Sequence, residues 1–307
     1  MHKLRNRLGI VLVLLGVACS LCACKREQKA EIVVGSKFFT EQVVLAELLA
    51  QHVEARTGIA VERKTNLGGT LLVQKALLAG QLDMYVEYTG TALTAVLNEP
   101  LEAASARTTR ENYSHAVYER VKKGYGEKFK LDVGEPLGFE NTFAMVIRGD
   151  DAKTLHLRTV TDLERVAPQW RIGVGYEFLE RPDGFPGWSQ RYGLHFADKP
   201  KVMDLGLVYR SLLQHQVDVV AGNSTDGLID TLHLVALEDN LHYFPPYDAV
   251  PVVREETMQR YPALRAAIAE LAGKISANDM RKMNYAVDAE LKDPKVVVQE
   301  FRNSRGL

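Results

Sequence analysis

The chain has 307 residues, 46% of them hydrophobic and 25% charged, which is enough apolar matter for one large domain or two ordinary ones with a sizeable core. Its 38 basic side chains nearly balance 39 acidic ones, and a net charge of −1 leaves no basic footprint for nucleic acid. All three cysteines, Cys19, Cys22 and Cys24, fall in the first 24 residues, so the remainder has no disulfide and no thiol chemistry.

In chain order, residues 1–24 read first as a targeting segment. Lys3, Arg5 and Arg7 form a positive end, and residues 8–18 form an apolar stretch too short for a spanning helix. Leu21-Cys22-Ala23-Cys24 resembles a bacterial lipobox, in which a Leu three places before the modified Cys fills the peptidase pocket and small residues flank the cut. The expectation is a targeting segment over 1–24 that is cut just before Cys24, so that Cys19 and Cys22 are removed and Cys24 is kept. The mature chain is then lipid-anchored at Cys24, on the periplasmic or extracellular face of the bacterial membrane. Residues 25–30 form a short polar tether.

A strand is predicted over 32–34, broken at Gly35-Ser36-Lys37. A helix follows over 40–57, with Thr40 as N-cap, Val43, Val44, Leu48 and Leu49 on its apolar side, and Gly58 as its stop. Residues 59–64 alternate as a strand, 66–70 form a loop, 71–79 a helix closed by Gly80, and 84–88 a strand ending in Thr89-Gly90-Thr91. This rhythm predicts an α/β layer with parallel strands, whose ligands sit beyond the carboxyl ends of the strands, where Lys37, Gly68 to Thr70 and Tyr88 to Thr91 all fall.

Further on, the pattern predicts a helix over 104–124, then Pro136-Leu137-Gly138 and a strand-like run over 139–147 that crosses into a second lobe. A helix-start signature stands at Thr161-Asp162-Leu163, a buried strand over 170–174, and a turn at Arg181-Pro182-Asp183-Gly184. Residues 205–214 read as a helix, 217–221 as a strand and 222–227 as a polar loop. Phe244-Pro245-Pro246-Tyr247 is a rigid return crossing, and the chain is mostly helical from Glu255. Two crossings make the second lobe an insertion in the first: residues 25–139 and 247–307 form the outer lobe, and 140–246 the inserted one.

Enzyme motifs are missing. There is no Gly-x-Ser-x-Gly turn, no His-Glu-x-x-His helix and no Gly-x-x-x-x-Gly-Lys-Ser/Thr loop, and Gly173-Val174-Gly175 is too little for a dinucleotide site. His115 and Glu119 stand one helical turn apart without a third metal ligand nearby. No cofactor and no metal are expected. On residue type alone, Tyr88, Phe143 and Tyr247 read as core rings and Arg181 as a surface side chain. Lys37 is divided between solvated charge and ligand contact, and Asn223 between helix cap and ligand contact. Asp226 reads as a helix cap.

The motifs together change that balance. Gly35-Ser36-Lys37 with Phe39-Thr40-Glu41-Gln42, Leu67-Gly68-Gly69-Thr70, Glu87-Tyr88-Thr89-Gly90-Thr91, the run from Phe178 to Gly184, Thr225-Asp226-Gly227 and the run from Phe244 to Ala249 occur in order across the chain. In this the sequence resembles the substrate-binding proteins of osmoprotectant ABC importers, the glycine betaine, choline and carnitine group. The resemblance implies a type II periplasmic-binding clamshell, which agrees with the two crossings. It also implies a monomer that captures a small zwitterion and passes it to a permease served by a separate ATPase.

By the same resemblance, Lys37, Thr91 and Arg181 form a clamp for a ligand carboxylate, while Tyr88, Phe143 and Tyr247, with Asn141 beside Phe143, line a box for a quaternary ammonium. The fourth box position is Asn223, where the betaine binders carry a tyrosine. A ring facing a desolvated cation contributes on the order of 0.5 to 2 kcal/mol, so its loss weakens betaine binding by roughly tenfold. An amide there also suits a more polar zwitterion such as ergothioneine, and the same clamshell serves a ligand sensor as well as an importer.

Overall fold

The computed structural model describes residues 31–100 and 109–307. The leader with Cys24, the tether and the expected helix start at residue 104 lie outside the described residues. Ten strands are described: β1 Ile32–Gly35, β2 Val61–Lys64, β3 Met84–Tyr88, β4 Leu131–Val133, β5 Phe143–Arg148, β6 Ile172–Val174, β7 Lys201–Val202, β8 Val219–Asn223, β9 Leu234–Leu237 and β10 Ala249–Arg254. They form two five-stranded sheets, ordered β2-β1-β3-β10-β4 and β7-β6-β8-β5-β9. The first sheet takes strands from both ends of the chain and the second only from its middle. The architecture is therefore α/β, two-lobed, with a discontinuous first lobe.

The parallel expectation holds for part of each sheet. β1 lies parallel to β2 and β3, and β6 parallel to β7 and β8. β10, however, runs antiparallel between β3 and β4, and β5 runs antiparallel between β8 and β9. A strand that enters a sheet straight from the other lobe needs no crossover helix, so nothing obliges it to be parallel. β4, β7, β9 and β10 carried no strand expectation. The first two are only three and two residues long, too short for an alternation to register.

The helix Thr40–Thr57 is buried along most of its length, Gln42, Glu47, Gln51 and His52 included, because it is sandwiched between the first sheet and the helices Ala263–Ala269, Ala277–Asp288 and Pro294–Arg305. A one-sided apolar stripe was the wrong expectation for an element covered on all sides. Thr40 does not cap it. Phe39 is the N-cap residue, and the Thr40 hydroxyl donates instead to Asp288 Oδ1 at 2.5 Å, tying the helix to the C-terminal segment.

Other boundaries move for local reasons. The helix Arg110–Phe129 runs through Gly124, and Lys130 in the left-handed region ends it. The helix-start signature sits two residues earlier than read, in a Thr159–Asp162 capping box that opens a 3-10 turn, Val160–Arg165. β8 extends to Asn223, which places that residue on a strand rather than in a loop.

Candidate functional site

The two sheets bring their strand ends to one cleft, and all eight expected ligand-binding residues line it: Lys37, Tyr88, Thr91, Asn141, Phe143, Arg181, Asn223 and Tyr247. Lys37 follows the end of β1. Tyr88 ends β3, and Thr91 lies in the helical turn Thr89–Thr91 that follows at once. From the other sheet, antiparallel pairing sets Phe143 at the start of β5 directly opposite Asn223 at the end of β8. Tyr247 arrives on the return crossing and packs on Gly90, where a Cβ would stand 2.7 Å from its ring and from the Pro246 carbonyl oxygen. The room left for a water-sized sphere between these side chains is about 40 Å³.

Neither cation of the expected clamp is a bare charge. Lys37, 1% exposed, pairs through Nζ with the buried carboxylate of Glu87, which also accepts from the Tyr85 hydroxyl at 3.1 Å and the Tyr88 N–H at 2.7 Å. Arg181 grips Asp183 with two parallel bonds, Nε to Oδ1 at 2.9 Å and a terminal nitrogen to Oδ2 at 2.6 Å. The Tyr247 hydroxyl donates to that same Oδ2 at 2.5 Å. Burial opposes the charges on Arg181 and Asp183; their mutual attraction more than offsets it, holding the guanidinium above its ordinary range and the carboxyl below its own. The surface reading of Arg181 is thus corrected: its own Pro-Asp-Gly turn supplies the carboxylate that carries it inward.

The residues of the expected clamp and of the expected box lie against one another. Lys37 Nζ lies 5.1 Å from the Tyr88 ring centroid, and the Arg181 guanidinium lies 5.0 Å from that of Phe143 and 5.9 Å from that of Tyr247. Phe143 and Tyr247 meet edge to face at 6.1 Å.

Glu41 organises the back of the site. Fully buried, it accepts from the Tyr88 hydroxyl at 2.6 Å, Asn141 Nδ2 at 2.8 Å and Asn284 Nδ2 at 3.0 Å. Burial pushes its carboxyl above the usual range in spite of those donors. Asn141 lines the cleft, and its other atom, Oδ1, is buried and finds no hydrogen-bond partner among the described residues.

Neither expected cap on the helix Leu228–Thr231 is formed. Its N-cap position is Gly227, and Asp226 turns back to accept from the Asn223 N–H at 2.9 Å and the Tyr209 hydroxyl at 2.5 Å. Burial pushes the Asp226 carboxyl up to about 6. The Asn223 side chain reaches only a 3.5 Å contact with that carboxylate.

Sequence reasoning missed several residues of the cleft wall: Phe38, Phe39, Tyr176, Glu177 and Phe178. Phe39 stacks on Tyr88 with centroids 6.4 Å apart. The signal was available, since Phe38-Phe39 directly follows Lys37 and Tyr176-Glu177-Phe178 follows the end of β6 after the single residue Gly175.

A family model for the substrate binding domain of the ABC-type glycine betaine transport system matches residues 30–304. The carnitine transport binding protein OpuCC of Listeria monocytogenes serotype 1/2a (strain 10403S) is 36% identical, over 92% of this chain and 90% of that protein. The ergothioneine transport permease/ergothioneine binding protein EgtU of Helicobacter pylori (strain G27) is 32% identical, over 100% of this chain and 53% of that longer protein. Among solved structures, one described as a glycine betaine/carnitine/choline ABC transporter superposes with a TM-score of 0.73 at 31% identity, covering 90% of this chain and 99% of that one.

Proposed function

The chain belongs to the family of substrate-binding domains of ABC-type glycine betaine transport systems, solute-binding components and not enzymes, and from that premise we propose that it captures a betaine-like zwitterion in the cleft between its sheets. The observation that supports this reading is the meeting of Lys37, Thr91 and Arg181 with Tyr88, Phe143 and Tyr247 in one cavity wall. The ligand carboxylate takes the donors of the first three, and its quaternary ammonium takes the ring faces. A carboxylate loses its water in such a cleft, and only charged donors offset several kcal/mol of desolvation.

In this reading residues 25–139 and 247–307 form the outer lobe and 140–246 the inserted lobe, hinged at the crossings near Gly138 and Pro246. Ligand contacts from both lobes exist together only in the shut form, so binding shifts the population toward it. The mature protein is a monomer held by a lipid on Cys24 at the outer face of the membrane, and it delivers its ligand to a permease driven by a separate ATPase.

Calorimetric titration of the chain without residues 1–24 tests this. Glycine betaine or carnitine should bind with single-site stoichiometry, and Arg181→Ala should abolish the heat. Binding unaffected by that change would remove the clamp assignment. One feature favours a second reading, a polar zwitterion such as ergothioneine: two amide residues, Asn141 and Asn223, line the cleft. Ergothioneine displacing bound carnitine in the same titration would decide for it.

A further inference from the structure

The helix Thr70–Leu78 of the first lobe starts at Gly69, an extended N-cap residue at φ −77° and ψ 179° with no side chain to offer. Its first N–H would ordinarily turn to a neighbouring side chain or to water. Instead the Thr70 N–H donates at 2.7 Å to Oε1 of Glu177, which sits on the helix Tyr176–Glu180 of the second lobe. Gly69 is what admits this contact, because a Cβ there would stand 2.8 Å from that same oxygen. An anion at a helix N-terminus is doubly favoured, by the charge-assisted bond and by the helix dipole.

Glu177 is also an anion among the groups of the cleft. Burial works against its charge, but Lys37 and Arg181, then the Thr70 N–H, hold its carboxyl below the ordinary value. A bond of this kind, anchored in one lobe and received in the other, exists only while the cleft is shut.

We propose that Glu177 is a positioning residue for ligand capture: by capping the Thr70–Leu78 helix from the opposite lobe it latches the closed clamshell without itself discriminating between ligands. This rests on the closure reading given above. It differs from a clamp role because a latch contributes equally to every ligand that the closed form holds.

The test uses the full chain with Glu177→Gln, Thr70→Pro and the pair combined. Proline at the first helical position keeps the helix, the extended Gly69 accommodates a following proline, and the change withdraws from Glu177 both the Thr70 N–H and the Thr70 hydroxyl beside it. Each single change should weaken carnitine and glycine betaine by the same factor, roughly tenfold, and the double variant should be no weaker than either single. Unchanged affinity in Glu177→Gln would overturn the latch. So would a shift in the carnitine-to-betaine ratio, which marks a ligand contact, or a double loss equal to the product of the singles.

Hydrogen exchange at the Thr70 amide separates this from the ligand reading. If the unaltered protein binds neither compound, the proposed ligand class fails, yet a latch that draws the lobes together by itself still covers the Thr70 amide for part of the time, and Glu177→Gln should speed exchange of that amide in proportion to the shut fraction while the rest of the helix keeps its rates. No change at that amide would sink the latch by itself. Should Glu177→Gln fail to fold, Thr70→Pro against both ligands decides alone.

Discussion

Arg181 shows how a single residue can be bound to its site by a neighbour two positions away. Its removal would leave Asp183, which is fully buried, with the Tyr247 hydroxyl as its remaining side-chain donor. Breaking a buried pair from one side costs about 3 to 5 kcal/mol. Arg181→Ala is therefore expected to lower stability by that order in urea denaturation, and adding Asp183→Asn should recover part of the loss while ligand binding stays absent. At the box, Asn223→Tyr should tighten glycine betaine by up to about tenfold in titration, since one added ring contributes on the order of 0.5 to 2 kcal/mol. Phe38, Phe39 and Tyr176 in the same wall limit the gain, because the cleft is already rich in rings. The eight expected residues were legible because each sits in a short motif at a strand end. Glu177 was not, because nothing in a lone glutamate tells that its partner is an amide 107 residues away.

The element that decides the inner wall is β8. Its last residue, Asn223, donates its N–H to Asp226, whose carboxyl burial raises from 3.8 to about 6. A carboxyl raised on folding contributes stability that is fully present below pH 3.8 and is lost as pH rises through about 6. The difference corresponds to about 3 kcal/mol at most. Asp226→Asn should remove this slope, so that the gap in unfolding free energy between variant and parent changes between pH 4 and 6 and levels off above it; a constant gap would contradict the raised carboxyl. At this scale the sequence read well where an element has a clear stop, as at the Thr89-Gly90-Thr91 end of Met84–Tyr88, or one exposed face, as in the helices after Glu255. It failed for Thr40–Thr57, whose burial on every side erases the stripe, and for β10, whose antiparallel course depends on where the chain returns from and not on its own residues.

For the molecule as a whole, the two lobes share one pocket, so a ligand that touches both stabilises the folded chain by mass action. At a hundredfold excess over its dissociation constant the gain should be about 2.7 kcal/mol, read as a rise in melting temperature, and scattering should show a smaller radius of gyration at the same concentration. A stabilised chain with an unchanged radius would mean binding without closure. The resident carboxylates of Glu87 and Asp183 carry a further consequence. Each cation of the cleft is neutralised within the protein before any ligand arrives, and a zwitterion adds no net charge, so capture exchanges one set of short-range dipoles and contacts for another, and the charge left over, that of Glu177, is already bonded to the Thr70 N–H. Dissolved ions therefore find little to compete for, and the grip of this site should hold nearly constant from dilute buffer to concentrated brine.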